Sequence, residues 1–565
     1  MNLLPPFLKS VCYWTYIKAC GVLAPGLLSE KSLQNLAKYR AWKKANPAPR
    51  FIFLNLLLRA FYLRRRYYTL LAKWVPSFLS AQEFQQLAQY HVRRGHFPVA
   101  AHYFVETLRK WGLGDSRSGS TPFFAVAQGI SATQWEAIKS RWLAKESDFL
   151  SLYNQLGNAL YLGGSLQKAT ACWATGLAVQ GAIARHVGAD RLDVKILSNS
   201  PWVQRIGLIG LLDSYVKMGL LGLRDNQNSI LVERVQDISN PHLLGYFSKH
   251  IKWIQDPRSI LSLQAPSLLL REPFHVIETG GEIRSIVDAA ARAQILWEKQ
   301  GNKPLLQLSE MDRAIGIEKL KRMGLPENAW YVCLHIREEN FPKEGEGGSR
   351  NNVVQSDQKI IDEVRRRGGW IIRFGDSRMP AYADSDHLID YNFNRVKSSE
   401  MDVFLCAHCR CYIGGNSELG LASAIFGVPT VLVDWHPLRA RPWYSNQIFI
   451  PKLMRNIKEN RFLTLEEMLQ EPVDILESPA HLRAADIELM ANSSEEILEV
   501  TVEMLDLLEN FGGTSSKRTT RQQKFQDIAE ANGSMGLGVL GDCFLQRHPQ
   551  ILDFSQKPHP LNFDP

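Results

Sequence analysis

From Tyr331 to Asp434, short unbroken apolar runs alternate with longer segments whose apolar residues recur three and four positions apart. The first pattern belongs to buried strands and the second to helices lying on them. Tyr331–Ile336 (YVCLHI) opens the series as a strand. Ser356 then caps a helix over Asp357–Arg367, with Ile360, Ile361 and Val364 facing inward and Gly368 as its C′ residue. Trp370–Phe374 is a second strand, stopping at Gly375-Asp376-Ser377, and Leu388–Tyr391 a third. Ser399 caps a helix over Glu400–Cys409, and Cys411–Ile413 runs as a strand into Gly414-Gly415-Asn416-Ser417. That turn opens a helix over Glu418–Phe426, which Gly427 ends before the strand Val428–Val433 and Asp434. Strands alternating with helices in this way predict a parallel, doubly wound sheet built by right-handed crossovers. Such sheets hold ligands at the carboxyl ends of their strands.

A second α/β pattern precedes this one. Asp193–Leu197 reads as a strand, Gly207-Leu208-Ile209-Gly210 leads past Asp213 into a helix ending near Gly219 or Gly222, Ile230–Val232 is the next strand, and Pro241–His250 a helix. Phe274–Ile277 is a short strand, Glu278–Glu282 an interdomain loop, and Glu310–Met323 a helix closed by Gly324. Upstream, Phe84, Leu87, Ala88, His91, Gly95, Ala100 and Phe104 match Tyr153, Leu156, Gly157, Leu160, Gly164, Ala169 and Trp173 at an offset of 69 residues. That offset is about two tetratricopeptide periods. Leu463–Leu469 and Ala484–Leu508 are helical by pattern, and Ser534–Leu545 offers a last turn and helix returning to the other domain. The chain therefore divides into a helical, basic amphipathic region over 1–79, tetratricopeptide-like repeats over 80–190, Rossmann-like domains over 191–325 and 326–475, and a helical region over 476–565 with a flexible segment near 512–521. The fold class is α/β with an N-terminal all-α part.

At 565 residues, with 45% hydrophobic content, the chain can bury several cores. Its net charge of +9 suits nucleic acid, an anionic membrane surface or phosphorylated substrates. No C2H2 spacing or RNA-binding aromatic signature is present, which sets nucleic acid aside. Arg64, Arg65, Arg66 and Lys73 flank the apolar Phe51–Leu58, Phe61, Tyr62 and Leu71, a pattern that fits either peripheral membrane contact or helical core packing. The longest apolar runs fall short of the ~20 residues that span a bilayer, and no signal peptide is recognisable, so a cytoplasmic protein is expected, with contact to the inner face of the membrane left open. Eight cysteines in a chain of this size do not read as a disulfide framework. Cys406, Cys409 and Cys411 with His408 lie on a helix and a buried strand that do not let four ligands converge, so they are expected to be structural thiols and no metal is expected.

The candidate chemistry gathers at strand ends. Gly414, Gly415, Asn416 and Ser417 open a helix, where unpaired N–H groups and the dipole favour a diphosphate. Arg337, just past a strand end, offers a planar fork for phosphate oxygens. Gly375, Asp376 and Asp434 end neighbouring strands, and Arg350 and Asn351 lie in the polar loop after Arg337. The same features also describe a tight turn with a Ser N-cap and an Arg in a structural ion pair.

The segments HIRE, RN, GGWIIRFGDSRM, LIDY, MDVFLCAHCR and GGNSELGLASAIFGVPTVLVDW resemble a bacterial family of glycosyltransferases that carry tetratricopeptide repeats. More distantly, HIR is similar to the His-x-Arg signature of fucosyltransferases with the two-domain GT-B fold, whose Arg holds the donor diphosphate. The resemblance covers roughly residues 200 to 480 and is strongest from 331 to 443. It implies a GT-B-like pair of Rossmann-like domains facing a cleft, a nucleotide sugar as donor, a glycan or lipid-linked acceptor, and no cofactor. By motif the catalytic role falls on Arg337 with His335 beside it, while Gly207, Gly210, Asp213 and the strand-end residues named above line the substrate. The base is left open among Asp213, Glu338 and Glu339. Two positions depart from the family: Glu418 stands where Gly is expected, and Leu208 where a His usually follows the first glycine of its loop. Rival readings are a nucleotide-sugar epimerase and a repeat scaffold with a degenerate sugar-binding fold; the repeats also suit a protein partner.

Overall fold

The computed structural model describes residues 81–111, 148–198, 201–225, 228–336, 357–375, 386–477, 479–511 and 518–552, with isolated positions at 136, 138 and 140. The basic amphipathic region over 1–79, the Gly114–Thr121 loop and most of the flexible segment near 512–521 lie outside these residues. The chain forms two compact units, residues 1–90 with 102–116 and residues 91–101 with 117–565. In the first, Phe84 and Tyr103 face one another with ring centroids 6.1 Å apart. Everything below concerns the second.

Its described residues from 148 onward begin with the helices Asp148–Leu162 and Leu166–Val187, joined through Gly163 and Gly164, where Gly164 takes φ 85°. Gly157 lies so close to the Trp173 indole that a Cβ there would stand 2.1 Å from Nε1. The second helix is held on the following domain by Trp173, stacked on His275 at 4.7 Å, and by Gln180, whose Nε2 donates to the carbonyls of Leu269 and Arg271.

The smaller lobe carries three parallel strands, β1 Val194–Ser198, β2 Asn228–Val232 and β3 Lys252–Ile254, in the order 1-2-3, with Arg271 bridging to Ile196. The helix expected over Pro241–His250 ends at Gly245, because Pro241 and the Asn240 cap start it and a turn then leads to β3. The polar Glu278–Glu282 stretch is not an interdomain loop: β4 Val276–Thr279 and β5 Glu282–Ser285 pair antiparallel around Gly280 and Gly281, both at positive φ as a tight hairpin requires.

The larger lobe is a seven-stranded sheet of β6 Tyr331–His335, β7 Trp370–Arg373, β8 Leu388–Asp390, β9 Cys411–Gly414, β10 Thr430–Trp435, β11 Gln447–Pro451 and β15 Val539–Leu540, parallel throughout and ordered 8-7-6-9-10-11-15. Every residue of β6, β8, β9 and β11 is buried, as unbroken apolar runs covered on both faces require. A small antiparallel sheet of β12 Leu453–Asn456, β13 Arg461–Phe462 and β14 Ile487–Met490 flanks it, so Ala484–Leu508 is not one helix: Asp486, at φ 57°, breaks it and β14 intervenes before the helix Ser494–Phe511. Ser534–Leu545 does not return to the other lobe, since β15 extends the edge of this same sheet beside β11. The lobes share one core, in which Val403, Ala424, Ile425 and Tyr444 of the larger lobe pack among Leu212, Tyr215 and Leu243 of the smaller.

Candidate functional site

Strand order places the site. β6 is followed outward by β7 and β8, after which the chain crosses back and lays β9 on the other side of β6. In a doubly wound sheet the crevice for a ligand opens where the order reverses, outside the carboxyl ends of those two strands. Here those ends are His335 and Gly414, which are register partners. His335, 8% exposed, has Nδ1 2.7 Å from Ser417 Oγ across the switch point. Gly414 has no room for a side chain, because a Cβ would meet the His335 carbonyl at 2.6 Å. Asn416 Nδ2 donates to the His436 carbonyl and pins the turn to the loop after β10 at 2.6 Å.

Sequence reasoning made the 414–417 turn an open diphosphate seat, and the hydrogen bonds alter that picture. Gly415 N donates to His335 O at 3.3 Å and Ser417 N to Gly415 O at 2.6 Å, so two N–H groups are spent within the protein. The helix that follows, Glu418–Ala424, has only seven residues. Glu418 points aside, as a phosphate neighbour would require, but toward the other lobe. Its Oε2 accepts from Gly207 N at 3.3 Å and its Oε1 lies 3.4 Å from Arg205 Nη1. It thereby caps the first turn of the helix Ile206–Leu220.

Gly207 and Gly210 act at this junction through their lack of a side chain. A Cβ on Gly207 would stand 2.6 Å from Glu418 Cβ, and one on Gly210 2.9 Å from Leu421 Cγ. Asp213, expected to bind substrate or act as the base, is fully buried in an ion pair instead of standing open at a strand end. Its Oδ2 lies 2.6 Å from Lys217 Nζ and accepts from Tyr444 Oη at 3.0 Å. Burial pushes its carboxyl up while Lys217 draws it down. The spacing of Asp213 and Lys217, one helical turn apart, was the available signal for this pair.

Asp434 also faces inward. Its Oδ1 accepts from Asn492 N at 2.7 Å, its own N–H donates to Asn492 Oδ1 at 2.6 Å, and Lys452 Nζ stands 4.0 Å away. Burial lifts its pKa to about 6. Its place is that of a clasp between β10 and the segment before Ser494–Phe511. Gly375 follows β7, and its carbonyl accepts from Lys397 Nζ at 3.3 Å. Arg337, Glu338, Glu339, Arg350, Asn351 and Asp376 lie outside the described residues. The sequence reading passed over Lys397 and Arg205. For Lys397 the signal was present: a cation directly before the Ser398 cap of the helix Ser399–His408 opposes the helix dipole.

Cys333, Cys406, Cys409 and Cys411 are buried free thiols, and burial drives Cys333, Cys406 and Cys411 well above the usual thiol range. Among the described residues no group of three or more His, Cys, Asp or Glu can hold a metal ion. No helix among them is long and apolar enough to cross a membrane.

No protein-family model matches the chain, and no curated protein matches it. Solved structures do. The chain is similar to the glycosyl transferase family 9 protein from Veillonella parvula DSM 2008, at 14% identity over 43% of this chain and 67% of that one, with a TM-score of 0.24. It is also similar to the iron-containing dodecameric glycosyltransferase TibC from enterotoxigenic E. coli H10407, at 14% identity over 46% of this chain and 62% of that one, TM-score 0.27. A second structure of TibC, described as a heptosyltransferase in complex with ADP-D-beta-D-heptose, matches at 13% identity over 46% and 61%, again with a TM-score of 0.27. The chain thus spans about three fifths of the TibC chain's length.

Proposed function

We propose that this protein is a glycosyltransferase that moves a sugar from a nucleotide-sugar donor to a glycan or lipid-linked acceptor. The observation that carries the reading is the switch point itself. His335 and Ser417 meet at the carboxyl ends of β6 and β9, next to the junction with the second lobe at Glu418 and Gly207. Arg337 follows two residues after His335 and is assigned the leaving diphosphate, whose developing charge a preorganised guanidinium stabilises without a metal. His335 orients the donor through its bond with Ser417. With Asp213 sealed in its ion pair, the base falls to Glu338 or Glu339. The helical hairpin at Trp173 serves as a scaffold on the smaller lobe and offers a surface to a protein partner or acceptor.

One observation favours a different reading. The Glu418 carboxylate bridges the lobes beside the crevice, as it would in a repeat scaffold whose sugar-binding fold has lost its reaction. Incubating purified protein with a panel of nucleotide sugars, followed by mass spectrometry, separates the cases. Free nucleotide from transfer or slow hydrolysis supports the transferase, an isomerised sugar makes it an epimerase, and no change in any donor leaves the scaffold.

A further inference from the structure

We infer that Lys397 is a phosphate-binding residue of this site, holding the diphosphate of the donor; the inference rests on the nucleotide-sugar reading above and names a contact within it. Lys397 ends the loop that leaves β8 and precedes the Ser398 cap of the helix Ser399–His408. From there its side chain reaches back over the carboxyl edge of the sheet. Nζ donates to the Gly375 carbonyl at 3.3 Å and to Asn392 Oδ1 at 2.9 Å, and stands 5.8 Å from the centre of the Tyr391 ring. Gly375 follows β7, the strand beside β6, so the ammonium lies one strand from the His335 end of the switch point.

Three properties of that placement need a reason. The residue is exposed and within reach of a ligand. Both acceptors are neutral carbonyl oxygens, and among the described residues no carboxylate lies within 4.0 Å of the ammonium; Asp402, whose carboxyl it draws down against burial, acts from farther off. A cation before a helix N-terminus is also on the unfavourable side of the dipole, where Asp or Glu is stabilising. An ammonium has three N–H donors, and Gly375 and Asn392 take two, which leaves the third for a ligand. A compact, preoriented point charge of this kind recognises a phosphoryl oxygen.

The test uses the full-length protein and isothermal titration with ADP, UDP and GDP, each paired with its nucleoside. Lys397→Met keeps the apolar stem and removes the charge; Lys397→Gln keeps a donor without charge; Arg395→Ala removes an equal charge from an exposed neighbour on the same loop. The expected result is that wild-type protein binds at least one of the three diphosphates, that both Lys397 variants weaken that binding roughly ten- to a hundredfold, and that nucleoside binding and the Arg395→Ala variant stay at the wild-type level. Wild-type affinity in both Lys397 variants overturns the assignment while leaving the donor site standing. So does a loss that extends equally to the nucleoside, which would make the lysine a brace for the loop, or an equal loss in Arg395→Ala, which would make it part of a general field. If wild-type protein binds none of the three diphosphates, the donor reading itself fails and Lys397 falls with it.

Discussion

The Glu418 carboxylate accepts a hydrogen bond from the Gly207 N–H, joining the first turns of two helices that belong to different lobes and lie 211 residues apart. Because the two Cβ positions would collide at 2.6 Å, Gly207→Ala must push the helices apart. A cost of about 1 to 3 kcal/mol is expected, as for overpacked cores. Glu418→Ala removes a cap and is expected to cost ~1 kcal/mol, since Arg205 is more than half exposed and contributes little by its charge. Chemical unfolding of both variants checks this. Glycine replacement without loss, or a Glu418 effect several times larger, contradicts the described junction.

Lys217 and Asp213 form a buried pair at 2.6 Å, with side chains 1% and 0% exposed. Lys217 also donates to Gln294 at 2.8 Å and lies over the rings of Trp297 and Tyr444. Lys217→Met leaves a carboxylate buried without its cation and should destabilise the fold by about 3 to 5 kcal/mol, whereas Asp213→Leu combined with Lys217→Met should recover most of that loss. Recovery in the double variant, measured by denaturant midpoints, would show that the pair's cost is that of an unpaired buried charge, and donor turnover in the same variant decides between a structural pair and a base. A double variant that is stable yet wholly inactive toward a donor accepted by the wild type would return Asp213 to the chemistry.

Trp173 ties the helical hairpin to the smaller lobe by stacking on His275 at an interplanar angle of 11° and by packing with Val276. Trp173→Ala should cost about 3 to 5 kcal/mol, and the hairpin should become the first part cleaved in limited proteolysis. Cleavage that begins elsewhere, with the hairpin still protected, would show that Gln180 and the helix contacts suffice.

The parts of this fold that were legible in the sequence are those whose burial is continuous. β6, β9 and β10 read as strands because covered parallel strands have no polar face to interrupt them. β3 escaped notice because Lys252, Trp253 and Ile254 are three residues, too few for a period to show. The β4–β5 hairpin looked like a loop because Glu278 and Glu282 face solvent on a two-stranded ribbon. The places of His335 and Gly414 at strand ends and of Ser417 as a helix N-cap were legible from the apolar runs and turn chemistry. The orientation of Glu418 did not, because its partners Arg205 and Gly207 are supplied by a distant helix. Asp434 looked like a ligand residue for the same reason: its partner Asn492 is 58 residues away.

Arg337 carries the sharpest prediction about activity. If it neutralises a leaving diphosphate, Arg337→Ala should lower turnover on the order of a hundredfold or more, and Arg337→Lys should recover only part, since an ammonium lacks the bidentate fork. An arginine in a buried ion pair instead forecasts a fold weakened by ~3 to 5 kcal/mol. Measuring thermal unfolding and donor turnover on the same variant separates the two. Early melting with normal turnover at a temperature where the variant is folded removes Arg337 from the mechanism.

The Asp434 clasp makes stability depend on pH in a definite direction. Its folded pKa is raised to about 6 by burial, which outweighs Lys452 at 4.0 Å and the Asn492 N–H. An acid whose folded pKa lies above its unfolded value keeps its proton longer in the folded chain. Between roughly pH 4 and 6 the folded state therefore binds more protons, and stability falls as pH rises through that window, by on the order of 3 kcal/mol for this group. Asp474, also raised to about 6, adds a decline of the same sign. Asp434→Asn keeps an oxygen for the Asn492 N–H and tolerates the φ of 51° at this position. The variant should match wild type near pH 4, exceed it above pH 7, and lack the part of the pH dependence that belongs to Asp434. Urea midpoints taken across pH 4 to 8 give the comparison. Parallel curves for the two proteins would mean that Asp434 ionises in the folded state as readily as in the unfolded chain, and that its carboxyl is not held in the dry contact between β10 and Asn492.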